Sequence, residues 1–176
     1  NRISATDIRR DWWDPSDKES PYVSKKFSFA NVASFLGDYI YMRVEEMYFI
    51  EAEAKAHENL GEGIRLLNEF MNNYRIVGGG YDCTNMSSSV ENFTNELMLQ
   101  KRIEFWGEGI IMFDLKRLDM PMKRGYKGTN SPSDYRLNTD GRAPHWNFVI
   151  TRGEIQNNPA VVNNPDPSGK IPVWTE

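Results

Sequence analysis

The spacing of apolar positions changes several times along the chain, and each change marks an element. From about Arg43 to Asn59 the residues are strong helix formers, with Ala52, Ala54 and Ala56 set among five glutamates. Val44, Met47, Tyr48 and Ala54 form one apolar face at helical spacing. Gly61 and Gly63 then mark a turn. A second helix is predicted from about Glu62 to Arg75, with Ile64, Leu67 and Met71 as its stripe, widened by Leu66 and Phe70. Gly78, Gly79 and Gly80 end it. A third helix starts at a capping box, Ser88 with Glu91. Its apolar row is Val90, Phe93, Leu97, Leu99, Ile103, Trp106, Ile110 and Phe113, and it is expected to run to about Leu118, weakened by Gly107 and Gly109. The shifting register of that row predicts burial on more than one side.

Outside 42–118 the pattern is weaker. Pro15 and Pro21 come early and the next proline is Pro121, which leaves the interval between for long helices. Phe27 and Phe29 alternate with polar or small neighbours, as in a short strand. Residues 119–150 predict no helix, and only Phe148, Val149 and Ile150 look strand-like. So long a stretch without structure is expected to lie across a larger body. Thr151 and Glu154 form a second capping box, opening a last short helix that Pro159 stops. The fold class is therefore mainly α, built of tetratricopeptide-like helix pairs with long irregular loops and at most minor β. Its expected parts are an irregular lead-in (1–41), a helical scaffold (42–118) and a loop-rich C-terminal wrap (119–176). The segment 43–75 has the geometry of one tetratricopeptide-like unit, with the small Ala54 seven residues before Gly61. No second copy is present, and a single unit needs neighbours to bury both faces.

Composition narrows the function. The 176 residues carry a net charge of −4, which argues against the basic face a nucleic-acid partner requires. Five Trp, eight Tyr and nine Phe are too many for a disordered chain. The longest apolar run, 110–113, is far short of a membrane span. The single Cys83 excludes an internal disulfide and a multi-cysteine metal knuckle. His57 and His145 stand in no zinc motif, no nucleophile elbow occurs, and the triple glycine lacks the context of a phosphate loop. Asn138–Gly141 and Asp166–Gly169 read as turns, without the rest of a calcium ligand set. No catalytic residue, metal or cofactor is expected.

Two clusters hold candidate chemistry. Residues 100–117 mix charge and aromatics most densely, and Glu104 and Glu108 share a helix face. Such a pair serves a glycosidase as acid and base or nucleophile, or joins Arg102, Arg117 and Asp114 in ion pairs that fasten the helix to its neighbours. Trp12 and Trp13 lie in a polar stretch with Arg9, Arg10, Asp11 and Asp14. Adjacent indoles beside polar groups suit the apolar face and hydroxyls of a sugar ring. The alternative is that one ring packs inward and the other covers it. Tyr22 and Trp146 are weaker candidates of the same kind.

Three stretches together resemble the SusD/RagB family. Residues 41–75, YMRVEEMYFIEAEAKAHENLGEGIRLLNEFMNNYR, are similar to its Arg-then-AEA helix, glycine turn and second helix. Residues 100–117, QKRIEFWGEGIIMFDLKR, are similar to its E-R-x-x-E-F-x-x-E-G-x-R-x-x-D-L-x-R signature. Residues 148–165, FVITRGEIQNNPAVVNNP, resemble its closing segment, and DIRRDWW at 7–13 is similar to an upstream D-x-R element. Gln100, Ile111 and Thr151 depart from the pattern, which usually has Glu, Arg and Pro there. Loss of an acid and a base together would keep a buried network balanced. The resemblance implies the C-terminal portion of a non-catalytic glycan-binding lipoprotein. Such a protein sits on the outer face of the outer membrane, and its lipid anchor would lie outside this chain. It implies an oligosaccharide or polysaccharide ligand and a SusC-like TonB-dependent transporter as partner in nutrient uptake. The alternatives are a tetratricopeptide-type protein-interaction module and, last, a glycoside hydrolase using Glu104 and Glu108.

Overall fold

The computed structural model describes residues 3–14, 16, 23–27, 29, 31, 33–129, 131–143 and 146–164. The chain is mainly helical and divides into two compact units, Asn1–Gly109 and Ile110–Glu176. The first unit holds α1 (Val44–Glu58), α2 (Leu60–Tyr74) and α3 (Val90–Glu104). The second holds α4 (Ile111–Arg117) and α5 (Arg152–Asn157).

In the first unit α1 and α2 form an antiparallel pair joined by a single residue. Asn59 caps α1 through its backbone and α2 through its side chain, which accepts from the Glu62 N–H. The turn is therefore made by Asn59, and both glycines expected there lie inside α2. Gly63 serves a different purpose: a Cβ on it would stand 2.5 Å from the Ala56 Cβ and 2.7 Å from the Ala52 carbonyl oxygen. The close approach of the helices rests on Gly63, Ala52 and Ala56; Ala54 is exposed. The stripe on α2 is as expected, with Ile64, Leu67, Phe70 and Met71 buried. On α1 the buried residues are Phe49, Ala52, Glu53 and Ala56. Val44, Met47 and Tyr48 face outward instead, because α1 carries apolar residues on both sides and periodicity alone does not say which side is covered.

Phe49 joins the layers. Its ring meets Phe70 of α2 edge-on at 5.1 Å and Phe105, just past α3, at 5.6 Å. Phe93, Leu97 and Met98 fill the core from α3. Ser89, one residue later than expected, caps α3 by accepting from the Asn92 N–H. The helix also ends earlier than the sequence suggested. Gly107 and Gly109 take φ of +82° and +84°, a left-handed conformation that ends a helix, and α4 begins anew at Ile111. The lead-in is tied down by main-chain bonds: Ile8 N–H donates to the Arg75 carbonyl and Val77 N–H to that of Thr6, both at 2.9 Å. Trp13 and Asp14 pair antiparallel with Ser24 and Val23. Among the described residues of the lead-in this two-residue pairing is the strand; neither Phe27 nor Phe29 is in one. The glycine loop closes through Asn72, whose amide bonds the Tyr81 main chain twice at 2.8 Å.

The second unit gives local order to a stretch expected to have none. Lys123 and Asn138 form an antiparallel bridge. Beside it the Met122 N–H donates to the Thr139 Oγ1 and the Thr139 N–H to the Met122 carbonyl, each at 2.8 Å. Asp119, at φ +52°, accepts from the Arg142 N–H at 2.7 Å across Gly141. These polar side-chain anchors leave no trace in hydrophobic periodicity. Phe148, Val149 and Ile150 form no strand; the Ile150 N–H is held by Asn163 at 2.7 Å. α5 begins after Thr151 as expected, although its hydroxyl makes no capping bond.

Candidate functional site

The family-like residues of the first unit meet at one carboxylate. Glu104, at the end of α3, is fully buried. Arg75 donates to it twice, through Nε and Nη2, each at 2.8 Å. Arg43, the residue before α1, donates at 2.9 Å, and Arg9 at 3.5 Å. Burial pushes the Glu104 carboxyl up, but the Arg75 and Arg43 guanidiniums outweigh it and hold the group below its usual range. Glu108 receives Lys26 Nζ at 2.5 Å and two bonds from Arg43, at 2.9 and 3.1 Å. Lys26 also donates to the carbonyls of Glu104, at 2.6 Å, and Trp106, at 3.1 Å, which are left open where α3 ends. Burial lowers its pKa against the pull of Glu108.

This arrangement supports the structural reading of Glu104 and Glu108. Both carboxylates are engaged by fixed cations, so they fasten three elements together. Their partners are Arg9, Arg43, Arg75 and Lys26; of the partners expected, Arg102 is exposed and Arg117 pairs with Asp114 in the other unit.

Asp7 and Arg9 complete the lattice. Arg9 is fully buried and forks onto Asp7, with Nη2 at 2.6 Å and Nε at 3.0 Å. Its Nη2 also donates to Gln100 Oε1 at 2.7 Å. Gln100 in turn donates to Glu96 at 2.8 Å, and the Tyr81 hydroxyl donates to the same Glu96 oxygen at 2.7 Å. The departure from the usual Glu thus has a local partner: an amide can face both Arg9 and Glu96, whereas a carboxylate would meet Glu96 with no proton between. Gln100→Glu is expected to lower stability by about 1–3 kcal/mol at neutral pH. Urea unfolding at pH 7 checks this, and an unchanged midpoint would exclude the arrangement.

Above this lattice lies an aromatic group. Trp12 and Trp13 are half-buried, with ring centroids 6.2 Å apart. Trp13 meets Trp106 edge-on at 5.7 Å, and Phe27 lies 6.3 Å from Trp106. The Lys26 ammonium sits 4.7 Å from the Trp12 ring. Trp106 is 45% exposed, so part of its indole stands open beside Trp13. Phe27 occupies the place a side chain on Gly107 would take, which explains why the chain turns at a glycine there. At the rim, Asp14 accepts from Ser16 and pairs with Lys25 at 3.0 Å. Together these contacts draw its carboxyl down to about 2.

The structure thus joins Trp12 and Trp13 to a third indole that the sequence reading placed in the helix core. Gly107 and Gly109 were the available signal, since a helix ending there frees Trp106. Trp146 lies in the other unit with 7% exposure and has no open face. Tyr22 and His145 lie outside the described residues, as does the Asp166–Gly169 turn. Cys83 is buried, which pushes its thiol up to about 11. Among the described residues no acidic, histidine or cysteine group is placed to hold a metal ion. No described helix is long and apolar enough to cross a membrane.

The first unit is thus a helix-pair scaffold that carries an aromatic group on a buried ionic lattice. Residues 18–166 match the SusD family, and the chain belongs to it. In structure the chain is similar to a SusD-like carbohydrate binding protein from Bacteroides vulgatus ATCC 8482. The TM-score is 0.68 and the identity 26%, over 89% of this chain and 38% of that protein. The chain therefore spans little more than a third of that protein's length. No curated protein matches it in sequence.

Proposed function

We propose that this chain is part of a non-catalytic glycan-binding subunit that delivers oligosaccharide to a SusC-like TonB-dependent transporter. In this proposal it is held on the outer face of the outer membrane by a lipid anchor and serves nutrient uptake. Membership of the SusD family carries the proposal, because the solved relative is a carbohydrate binding protein. The Trp12, Trp13 and Trp106 group supplies the chemistry. An exposed indole face suits the C–H face of a pyranose, and the Asp14–Lys25 rim offers hydrogen-bonding groups beside it.

Calorimetry of the whole protein against a glycan panel tests the proposal; silence against every glycan would overturn it. Trp106→Ala and Trp13→Ala are expected to weaken binding about tenfold each, from the worth of an aromatic contact. Unchanged affinity in both would remove these rings from the site. Co-purification from solubilised outer membranes tests the partner: a large β-barrel is expected, and recovery of soluble proteins alone would favour a tetratricopeptide-type interaction module.

A further inference from the structure

The three indoles of the aromatic group come from two places far apart in the chain, and the short segment 24–27 is bound to both. On one side it is tied to the lead-in: Ser24 pairs with Trp13, and the Lys25 N–H donates to the Trp12 carbonyl at 2.7 Å. On the other it grips the turn that follows α3. Phe27 fills the space in front of Gly107. The Lys26 ammonium reaches three acceptors that bracket Trp106, the carbonyls of Glu104 and Trp106 and the carboxylate of Glu108, at 2.6, 3.1 and 2.5 Å.

A lysine ammonium has three N–H donors, so these acceptors use all of them. The Lys26 side chain is 6% exposed, and its ammonium lies 4.7 Å from the centroid of the Trp12 ring and 5.4 Å from that of Phe27. A ring face attracts a cation most strongly where water is excluded. One buried charge is therefore held by the turn that carries Trp106 on one side and by the Trp12 ring on the other. Arg43 also donates to Glu108 and to the Glu104 carbonyl, whereas the Trp106 carbonyl is held by Lys26. Neighbouring Lys25, 58% exposed, pairs with Asp14 at the rim instead.

We propose that Lys26 is the positioning residue of the indole group: it fixes the turn that carries Trp106 against the Trp12 ring, so that Trp12, Trp13 and Trp106 stand in their binding arrangement before a sugar arrives. Rings fixed beforehand lose little freedom on binding, and that saving appears as affinity. The ammonium suits the task better than a guanidinium, because three acceptors gathered round one nitrogen match a compact charge and not a planar fork. The proposal rests on the glycan-binding reading for its purpose alone. Its test contains no glycan, so silence of a glycan panel and failure of this test are separate results.

The test reads the indoles directly, in the whole protein. The near-ultraviolet circular dichroism of wild type minus that of Trp106→Phe is the signal of Trp106 packed against its neighbours. Lys26→Met keeps the length of the stem and removes the ammonium. Taken in that background, the Trp106 signal is expected to shrink to about half or less. Gln100→Glu disturbs the lattice without touching an indole, and in its background the signal should keep its size. A smaller shrinkage in folded Lys26→Met overturns the proposal, and so does an equal shrinkage in Gln100→Glu, which would mark general loosening. A second measurement needs no variant to fold. The wild-type protein is acetylated with an N-hydroxysuccinimide ester, and mass spectrometry compares Lys25 and Lys26 on one peptide. Lys26 is expected to react about tenfold or more slowly than Lys25. Any smaller difference overturns the proposal, because the ammonium is then not held.

Discussion

Replacing Glu104 with glutamine is expected to destabilise the protein by about 3–5 kcal/mol, the usual cost of removing one partner from a buried ion pair. The substitution barely changes shape. It takes the charge from a fully buried position on which Arg9, Arg43 and Arg75 converge, and leaves guanidiniums facing one another. For a chain of this length the melting temperature should fall by about 10 °C. Thermal unfolding followed by circular dichroism measures it, and a shift of only a degree or two would mean that Glu104 does not anchor the lattice.

The same group predicts a pH dependence. Its carboxyl is held below the ordinary value of 4.5 in the folded chain. A depressed acid contributes its stability in full above the unfolded value and loses it as pH falls through the folded one. The gap between wild type and Glu104→Gln should therefore stay constant from pH 7 down to about 5 and narrow below 4.5. A gap unchanged at pH 3 would contradict the depressed value.

Gly63→Ala has the second large expected effect, with a sign opposite to helix propensity. Alanine in place of glycine within a helix favours folding by about 1 kcal/mol. At Gly63 the new methyl would press on the Ala56 methyl and the Ala52 carbonyl oxygen. Overpacking of this kind costs about 1–3 kcal/mol or more, so a net loss is expected. Gly61→Ala is the control: the nearest atom to its Cβ is Asn59 Oδ1 at 3.4 Å, and it should be neutral or stabilising. Ala56→Gly should recover part of the Gly63→Ala loss, because the two sites share one contact. Denaturant midpoints of the four variants measure the coupling, and strict additivity would show that the helices do not touch there.

These residues also show where sequence reading stops. The α2 stripe was legible because Ile64, Leu67 and Met71 are apolar on one side only. The α1 face was not, because Val44, Met47 and Phe49 are all apolar and the covering partner chooses between them. Glu104 and Glu108 were recognised as a pair, but their partners come from positions 9, 26, 43 and 75, which no local spacing connects. Trp12 and Trp13 could be named from their polar surroundings. Trp106 could not, because its exposure depends on the helix breaking at Gly107.

The sequence by itself determined the first helix pair, the existence of the third and last helices and the SusD-family resemblance, since propensity, periodicity and motif order are local properties of the chain. Only the tertiary structure decided which face of α1 is buried, that Gly63 and not Gly61 governs the helix contact, and that four distant basic residues close on Glu104 and Glu108. Those outcomes depend on close packing and on charge compensation in a dry interior, where distance in space rather than distance along the chain sets the energy.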